Sequence, residues 1–257
     1  MSGDWRVCVI GLGAVGMPTA EYIASKGIYV YGYDIVPKKI DKFPVTTNWE
    51  EIPHSKINVY LVAVWVDLDG NSLHDVCGRV SKVNSKALVA IESTVPVGTC
   101  RKFSEIYSLH RLVHVPHRYW KGDPVNYGVR QLRVFGALNS ESKEIGLKFY
   151  KSIGIPLHVV DPIEIAEMCK IAENSYRFVQ IAFAEELKMI CDRLKLNFEE
   201  VRKACNTKWN VEILEARRGI GGECLPKDIK FLIHHAGRAP ILEAAVKSDE
   251  EYRKLVK

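Results

Sequence analysis

The sequence predicts an α/β fold in two parts: a mostly parallel sheet domain over residues 1–160, then an all-α domain with one long helix over residues 161–257. Three observations predict it. Short apolar runs alternate with helical or loop segments as far as Val160, the pattern of repeated βα units with helices on both faces of a sheet. The first run breaks into glycines, Gly11-Leu12-Gly13-Ala14-Val15-Gly16, and a helical stretch follows. At Asp161 the apolar period becomes helical and stays so to about Leu194, with no glycine and no proline after Pro162.

In chain order, residues 5–10 and 29–33 read as strands with a helix over 17–26 between them. Further strands are expected over 59–64, 87–92, 112–115, 132–137 and 157–160, with a helix over 141–153 separating the last two. Asp161 is a good N-cap, Pro162 suits the first helical position, and Glu164 completes a capping-box-like start. The helix beginning there would be on the order of 50 Å long. A second helix is expected over 198–205. Asp67-Leu68-Asp69-Gly70-Asn71 superficially matches a calcium loop. Its glycine is misplaced and no terminal glutamate follows in register, so the match is rejected.

Composition narrows the function classes. Hydrophobic residues at 47% and charged residues at 26% are the balance of a folded globular chain. The net charge of +5 comes from scattered basic residues, which argues against a nucleic-acid arm. No stretch reaches the roughly 20 apolar residues of a membrane span, and the first apolar run is too short for a signal peptide. The seven cysteines (Cys8, Cys77, Cys100, Cys169, Cys191, Cys205 and Cys224) are odd in number, and no pair has metal-type spacing. Free thiols in a reducing cytoplasm, with no metal site, are the expectation.

The glycine run carries the first chemical reading. It leaves a strand, opens a helix, and is followed by a second strand ending in Asp34, 23 residues after Gly11. That order is the dinucleotide-binding fingerprint. Its first glycine permits a tight turn, its second lets a pyrophosphate approach the backbone, and its third lets helix pack on strand. The phosphates then face free N–H groups at a helix N-terminus. Asp34 would bond ribose hydroxyls and favour NAD; Lys38 and Lys39 leave NADP open. The plain alternative is a glycine turn with no ligand. Thr94 lies just past a strand end, where ligands of such sheets bind, although a loop threonine also serves simply to form a turn.

Two further stretches carry chemistry. Lys170, Asn174 and Arg177 fall at i, i+4 and i+7, on one face of the long helix; a solvated face is the plain alternative. Gly219-Ile220-Gly221-Gly222-Glu223-Cys224-Leu225-Pro226-Lys227-Asp228 crowds glycines on one side of a cysteine, with a lysine and an aspartate after it. Reactive cysteines sit in electropositive, partly exposed settings, whereas buried ones are inert.

Four pieces in fixed order therefore stand out: the fingerprint with Asp34; Ser93-Thr94-Val95-Pro96-Val97-Gly98-Thr99; Glu167-Met168-Cys169-Lys170-Ile171-Ala172-Glu173-Asn174-Ser175-Tyr176; and the Cys224 loop. Together they resemble the UDP-glucose/GDP-mannose dehydrogenase family, over nearly the whole chain. G-x-G-G-x-C-x-x-K-D, that family's nucleophile signature, is the most specific of them. The resemblance implies NAD-dependent oxidation of the C6 primary alcohol of a nucleotide sugar through a thiohemiacetal and a thioester on Cys224. It implies Lys170 and Asn174 at the developing oxyanion, Asp228 orienting water or Lys170, and Thr94 at the junction of cofactor and substrate. Cofactor contacts are implied at Gly11, Leu12, Gly13, Ala14, Val15, Gly16, Asp34, Lys39, Val64, Ser93, Thr94, Lys121 and Lys227. Substrate contacts are implied at His117, Arg118, Lys170, Asn174, Lys208, Gly219 and Gly221. A homodimer is expected, with Lys208 standing where the family has an arginine that reaches the partner's site. A lysine there keeps the charge and loses the bidentate fork.

Two departures qualify the resemblance. In Val115-Pro116-His117-Arg118 the residue after proline is His117, where the family has a glutamate that assists thioester hydrolysis. Histidine can act as a base near neutral pH, and the expectation is that His117 substitutes for it and that the enzyme stalls at, or is selective for, one oxidation step; a histidine that only supports its neighbours is the plain alternative. Family members also continue into a second Rossmann-like domain that binds the nucleotide of the sugar, which residues 1–257 do not include. A separate chain supplying it, a smaller substrate, or lost activity are the expectations. The alternatives are a β-hydroxyacid dehydrogenase-like enzyme, which does not need Cys224, and a catalytically inactive NAD-binding subunit.

Overall fold

One eight-stranded sheet organises the first part of the computed structural model, which describes residues 4–120, 122–124 and 126–256. Its strands are β1 (Arg6–Ile10), β2 (Tyr29–Tyr33), β3 (Val45–Thr46), β4 (Val59–Val62), β5 (Leu88–Ile91), β6 (Leu112–His114), β7 (Arg133–Ala137) and β8 (Leu157–Val160), in spatial order β3-β2-β1-β4-β5-β6-β7-β8. All neighbours pair parallel except β6 and β7. Between them run α1 (Gly16–Ser25), α2 (Asn71–Asn84), α3 (Thr99–Tyr107) and α4 (Ser140–Ser152). Of the described strands only β3 was not expected, because two residues are too short for a periodic signal; α2 and α3 fall in segments expected only as helical or loop.

Alternation along the strands divides two cores. Cys8 and Ile10 of β1 and Tyr60 and Val62 of β4 join one buried cluster, while Val7, Val9, Val59 and Leu61 join the other. Successive side chains of a strand point to opposite faces, and a parallel sheet is covered on both. The strand order reverses between β1 and β4, so the loops leaving their C-terminal ends flank a crevice where such folds bind ligands.

The chain separates into two compact units, Met1–Cys169 and Lys170–Lys257, and the division falls inside α5 (Ile163–Arg193). The first turns of α5 belong with the sheet for a packing reason. A Cβ added to Gly136 of β7 would come within 2.9 Å of Ala166 Cβ and of Ile163 Cα, so only glycine lets helix and strand approach this closely. The helix starts at Ile163, after Pro162 rather than at it, and Glu164 pairs with Arg101 Nε at 2.6 Å.

The second unit holds the rest of α5 with α6 (Phe198–Cys205), α7 (Cys224–Ala236) and α8 (Pro240–Leu255). One small core gathers Phe178, Ala182, Ile220, Ile229 and Ala245; another gathers Ala184, Cys191, Phe198 and Ile213. Both use α5 as their spine. No described helix is long and apolar enough to cross a membrane.

Candidate functional site

In the sheet unit, each fingerprint glycine has a separate reason. Gly11 has φ +89°, and a Cβ there would lie 2.6 Å from Ala63 O. At Gly16 a Cβ would lie 1.8 Å from Gly11 O, so the start of α1 fits under the turn only without one. Gly13 has nothing within 4 Å of that position and is exposed. The protein therefore needs no glycine at 13 for its own packing, whereas a diphosphate approaching the backbone does. Asp34 closes β2 and accepts from Leu12 N–H at 2.7 Å and from Val36 N–H at 2.8 Å, tying the turn to the strand end. Ala14 and Lys39 are exposed and Val15 is partly so. These residues fit a dinucleotide.

Beyond β4 and β5, Ser93 Oγ donates to Val64 O at 2.7 Å, which joins the two strand ends. Thr94 is half-buried beside it. A cleft of about 210 Å³ is lined by Val66, Gly70, Pro96, Gly98 and Phe103 among others, and Val64, Ser93 and Thr94 are not part of its lining. A larger open hollow of about 400 Å³ lies between α2 and α3, and no residue expected to act lines it. Asp67 Oδ1 accepts from Gly70 N–H at 2.6 Å and helps start α2, which gives the calcium-like stretch a structural use.

His117 is buried, at 6% exposure. Its Nε2 lies 2.5 Å from Glu92 Oε2 and 3.1 Å from Thr19 Oγ1. The other Glu92 oxygen accepts from Arg133 at 2.9 Å and from Tyr150 Oη at 2.7 Å. Burial would raise the Glu92 pKa, but Arg133 and then His117 outweigh it and hold it at about 2. The His117 ring is buried and its Nε2 joins a charge network of Glu92, Arg133 and Tyr150. Glu92, Arg133 and Tyr150 were not expected to act together. The only sequence signal was an acid beside Ser93-Thr94 at the end of an apolar strand. Arg118 donates to Leu132 O at 2.9 Å. Lys121 lies outside the described residues.

Glu167 begins the stretch Glu167–Tyr176 on α5. Its carboxylate is fully buried and accepts from Gly98 N–H at 2.6 Å and Cys100 N–H at 2.7 Å, capping α3 from α5. A side chain satisfying the free N–H groups of a helix start is the usual solution there.

In the second unit, Cys224 is exposed and is the first residue of α7. Asp228 lies one turn on, at the i+4 position that faces it, and is fully buried. Asn174 Nδ2 donates to Asp228 Oδ2 at 2.5 Å, and Lys170 Nζ donates to Asn174 Oδ1 at 3.4 Å. Asn174 thus stands between Lys170 and Asp228. Lys227 Nζ lies 2.7 Å from Asp228 Oδ1 and 4.2 Å from the Phe231 ring centroid. Gly219 and Gly222 have φ +90° and +78°, so the backbone ahead of Cys224 takes a path that other residues resist. Gly221 is open on its Cβ side, and Lys208 is exposed.

Residues 164–251 match the central domain of the UDP-glucose/GDP-mannose dehydrogenase family. A UDP-N-acetyl-D-mannosamine dehydrogenase of Methanococcus vannielii is 30% identical over 93% of this chain and 64% of its own length. A solved UDP-D-ManNAc dehydrogenase of Pyrococcus horikoshii superposes with a TM-score of 0.86 at 29% identity, over 96% of this chain and 68% of that one. A 3-hydroxyisobutyrate dehydrogenase of Mycobacterium tuberculosis, 13% identical, shares the fold with a TM-score of 0.72, over 98% of this chain and 93% of that one. The chain spans 64% to 70% of the length of the curated relatives it matches.

Proposed function

We propose that this chain is a member of the UDP-glucose/GDP-mannose dehydrogenase family, whose central-domain model matches residues 164–251, and that it oxidises the C6 primary alcohol of a nucleotide sugar with NAD, through covalent adducts on Cys224. The observation that carries the reading is the grouping in the second unit: an exposed thiol at the start of α7, a buried Asp228 one turn on, and Asn174 between Asp228 and Lys170.

NAD, when bound, supplies the hydride acceptor. Gly11, Gly13 and Gly16 leave backbone room for its diphosphate, and Asp34 takes a ribose hydroxyl. Once C6 is an aldehyde, the Cys224 sulfur bonds to it and the thiol proton passes to the carbonyl oxygen. Loss of a second hydride from C6, for which a second NAD would be the acceptor, together with loss of the hydroxyl proton to water leaves a thioester. Water then cleaves the C–S bond and returns the thiol with a free carboxylate. The Lys170 ammonium, steered by Asn174, supplies the donor for oxygen charge at C6; removing one such donor typically costs 100- to 1,000-fold in kcat. Asp228 fixes Asn174 and Lys227.

With His117 buried and its Nε2 engaged by Glu92, hydrolysis of the thioester is slow in this proposal. A burst of NADH followed by a persistent acyl group on Cys224 is the expected course. Steady release of two NADH per sugar with no trapped adduct would remove that part of the proposal.

The relatives' names place UDP-N-acetyl-D-mannosamine first in a substrate panel, with UDP-glucose and GDP-mannose beside it. Residues outside these 257 hold the nucleotide half of the substrate in this reading, on a further domain or a separate chain. The free cysteines suit a reducing cytoplasm. A homodimer is part of the proposal: Tyr176, Phe183 and Ile190 of α5 are exposed at 65%, 55% and 36% and recur every seven residues on one face, the spacing of a helix–helix seam.

The second reading is a β-hydroxyacid dehydrogenase-like enzyme, favoured by a fold match that covers 93% of such a chain. Cys224→Ser separates the two. Loss of acid formation supports the covalent route, and unchanged turnover on a hydroxy acid supports the alternative. NAD binding without reduction across both panels would identify an inactive NAD-binding subunit.

A further inference from the structure

A second set of buried charges lies in the same unit, behind the Cys224 loop. Asp249 of α8 is 5% exposed. Its Oδ1 accepts from the backbone N–H of Ile220 at 2.7 Å, and its Oδ2 accepts from Arg253 Nε at 2.8 Å. Arg253 also donates to Ile220 O. Both backbone groups of Ile220 are therefore held by one helix. One residue earlier, a Cβ on Gly219 would come within 2.5 Å of Arg253 Cγ, so the arginine stem lies directly on the loop. Tyr252 Oη donates to Arg217 O at 2.7 Å. Successive residues of α8 thus grip residues 217–220, four to seven positions ahead of Cys224.

Behind Asp249 stands Glu185 of α5, fully buried, with no donor within hydrogen-bond reach of either carboxyl oxygen. Its carboxyl faces that of Asp249. Two carboxylates in one buried site cannot both ionise cheaply. Burial first, and Asp249 second, push Glu185 up to about 8, against a smaller pull from Arg253. A proton held on Glu185 would have Asp249 as its acceptor, beside the two donors, Ile220 N–H and Arg253 Nε, that Asp249 already has. The charged groups around the pair are Lys188 and Asp192 of α5, paired at 2.7 Å, and Tyr252 and Arg253 of α8; the loop itself presents Ile220 through its backbone.

We propose that Glu185, Asp249 and Arg253 form a latch that positions the glycine loop ahead of Cys224, closed by one shared carboxyl proton and released when that proton leaves. The three are positioning residues; none touches the reacting atoms. The latch rests on the proposed role of Cys224 for its use in catalysis, but its closure is a property of the folded chain alone.

Amide hydrogen exchange of the peptide spanning residues 217–223 tests it, without NAD or sugar. Wild-type chain should keep its protection at pH 7 and lose at least tenfold by pH 9. Glu185→Gln, which can donate to Asp249 but cannot ionise, should hold protection at both. Arg253→Ala should lose it at both. Equal pH dependence in wild type and Glu185→Gln, or full protection in Arg253→Ala, would overturn the latch. If turnover is observed, Glu185→Gln should also remove a decline in kcat on the alkaline side while leaving KM unchanged. Exchange that behaves as expected with no turnover on any nucleotide sugar would keep the latch and discard the proposed function.

Discussion

Gly13 and Gly16 stand three residues apart in one motif and do different work. Gly16 is required by the fold, since a methyl group would strike Gly11 O, whereas Gly13 is open. Gly13→Val should therefore leave the melting temperature within a degree or two and weaken NAD binding at least tenfold by calorimetry. Gly16→Val should lower the melting temperature, because overpacking against backbone costs about 1–3 kcal/mol. His117 gives a third outcome. His117→Glu restores the family's residue type but sets a second carboxylate against Glu92 in a buried site. An unpaired buried charge costs about 3–5 kcal/mol, so this variant should melt earlier rather than turn over faster.

Among the elements, the sheet and the helical unit should answer pH in opposite directions. In the sheet, Glu92 sits at about 2, below its ordinary carboxylate range, and burial drives His114 down to about 3, so it stays neutral. Both groups bind fewer protons folded than unfolded, so their stabilisation is present at neutral pH. That from His114 starts to fade as pH falls below about 6.5; that from Glu92 fades between the ordinary carboxylate range and about 2. Glu185 is the reverse: folded, it holds its proton to about 8, so its share of stability falls as pH rises from about 4.5 to 8 and levels off above. Exchange protection of β1 and β5 should drop on acidification, and that of residues 217–223 on alkalinisation. Most elements were legible in the sequence, because strand alternation, the glycine turn and the helical period from Asp161 are local signals; α2 and α3 were expected only as helical or loop segments. β3 was not legible, and neither was the membership of α5's first turns in the sheet unit, which depends on the distant Gly136. The same limit applied to the site. Cys224, Lys170, Asn174 and Asp228 were visible as motif residues, but the enclosure of His117 depends on Glu92, Arg133 and Tyr150 from separate elements. The grip of α8 on Ile220 joins residues 29 apart and leaves no local trace.

For the whole molecule, the proposed function gives NAD binding to the sheet unit and the Cys224 chemistry to the helical unit, which also presents an exposed apolar seam. If the seam is an interface, Phe183→Asp should convert a dimer to a monomer in sedimentation while leaving NAD binding unchanged; a wild-type monomer at tens of micromolar would remove the dimer. The central claim is covalent oxidation at Cys224. Its most direct measurement is the intact mass of the chain after mixing with NAD and a panel of nucleotide sugars, with NADH absorbance followed in parallel. The account predicts a sugar-derived adduct on Cys224 that forms together with NADH and is absent from Cys224→Ser. NADH formed at the wild-type rate by Cys224→Ser would contradict it.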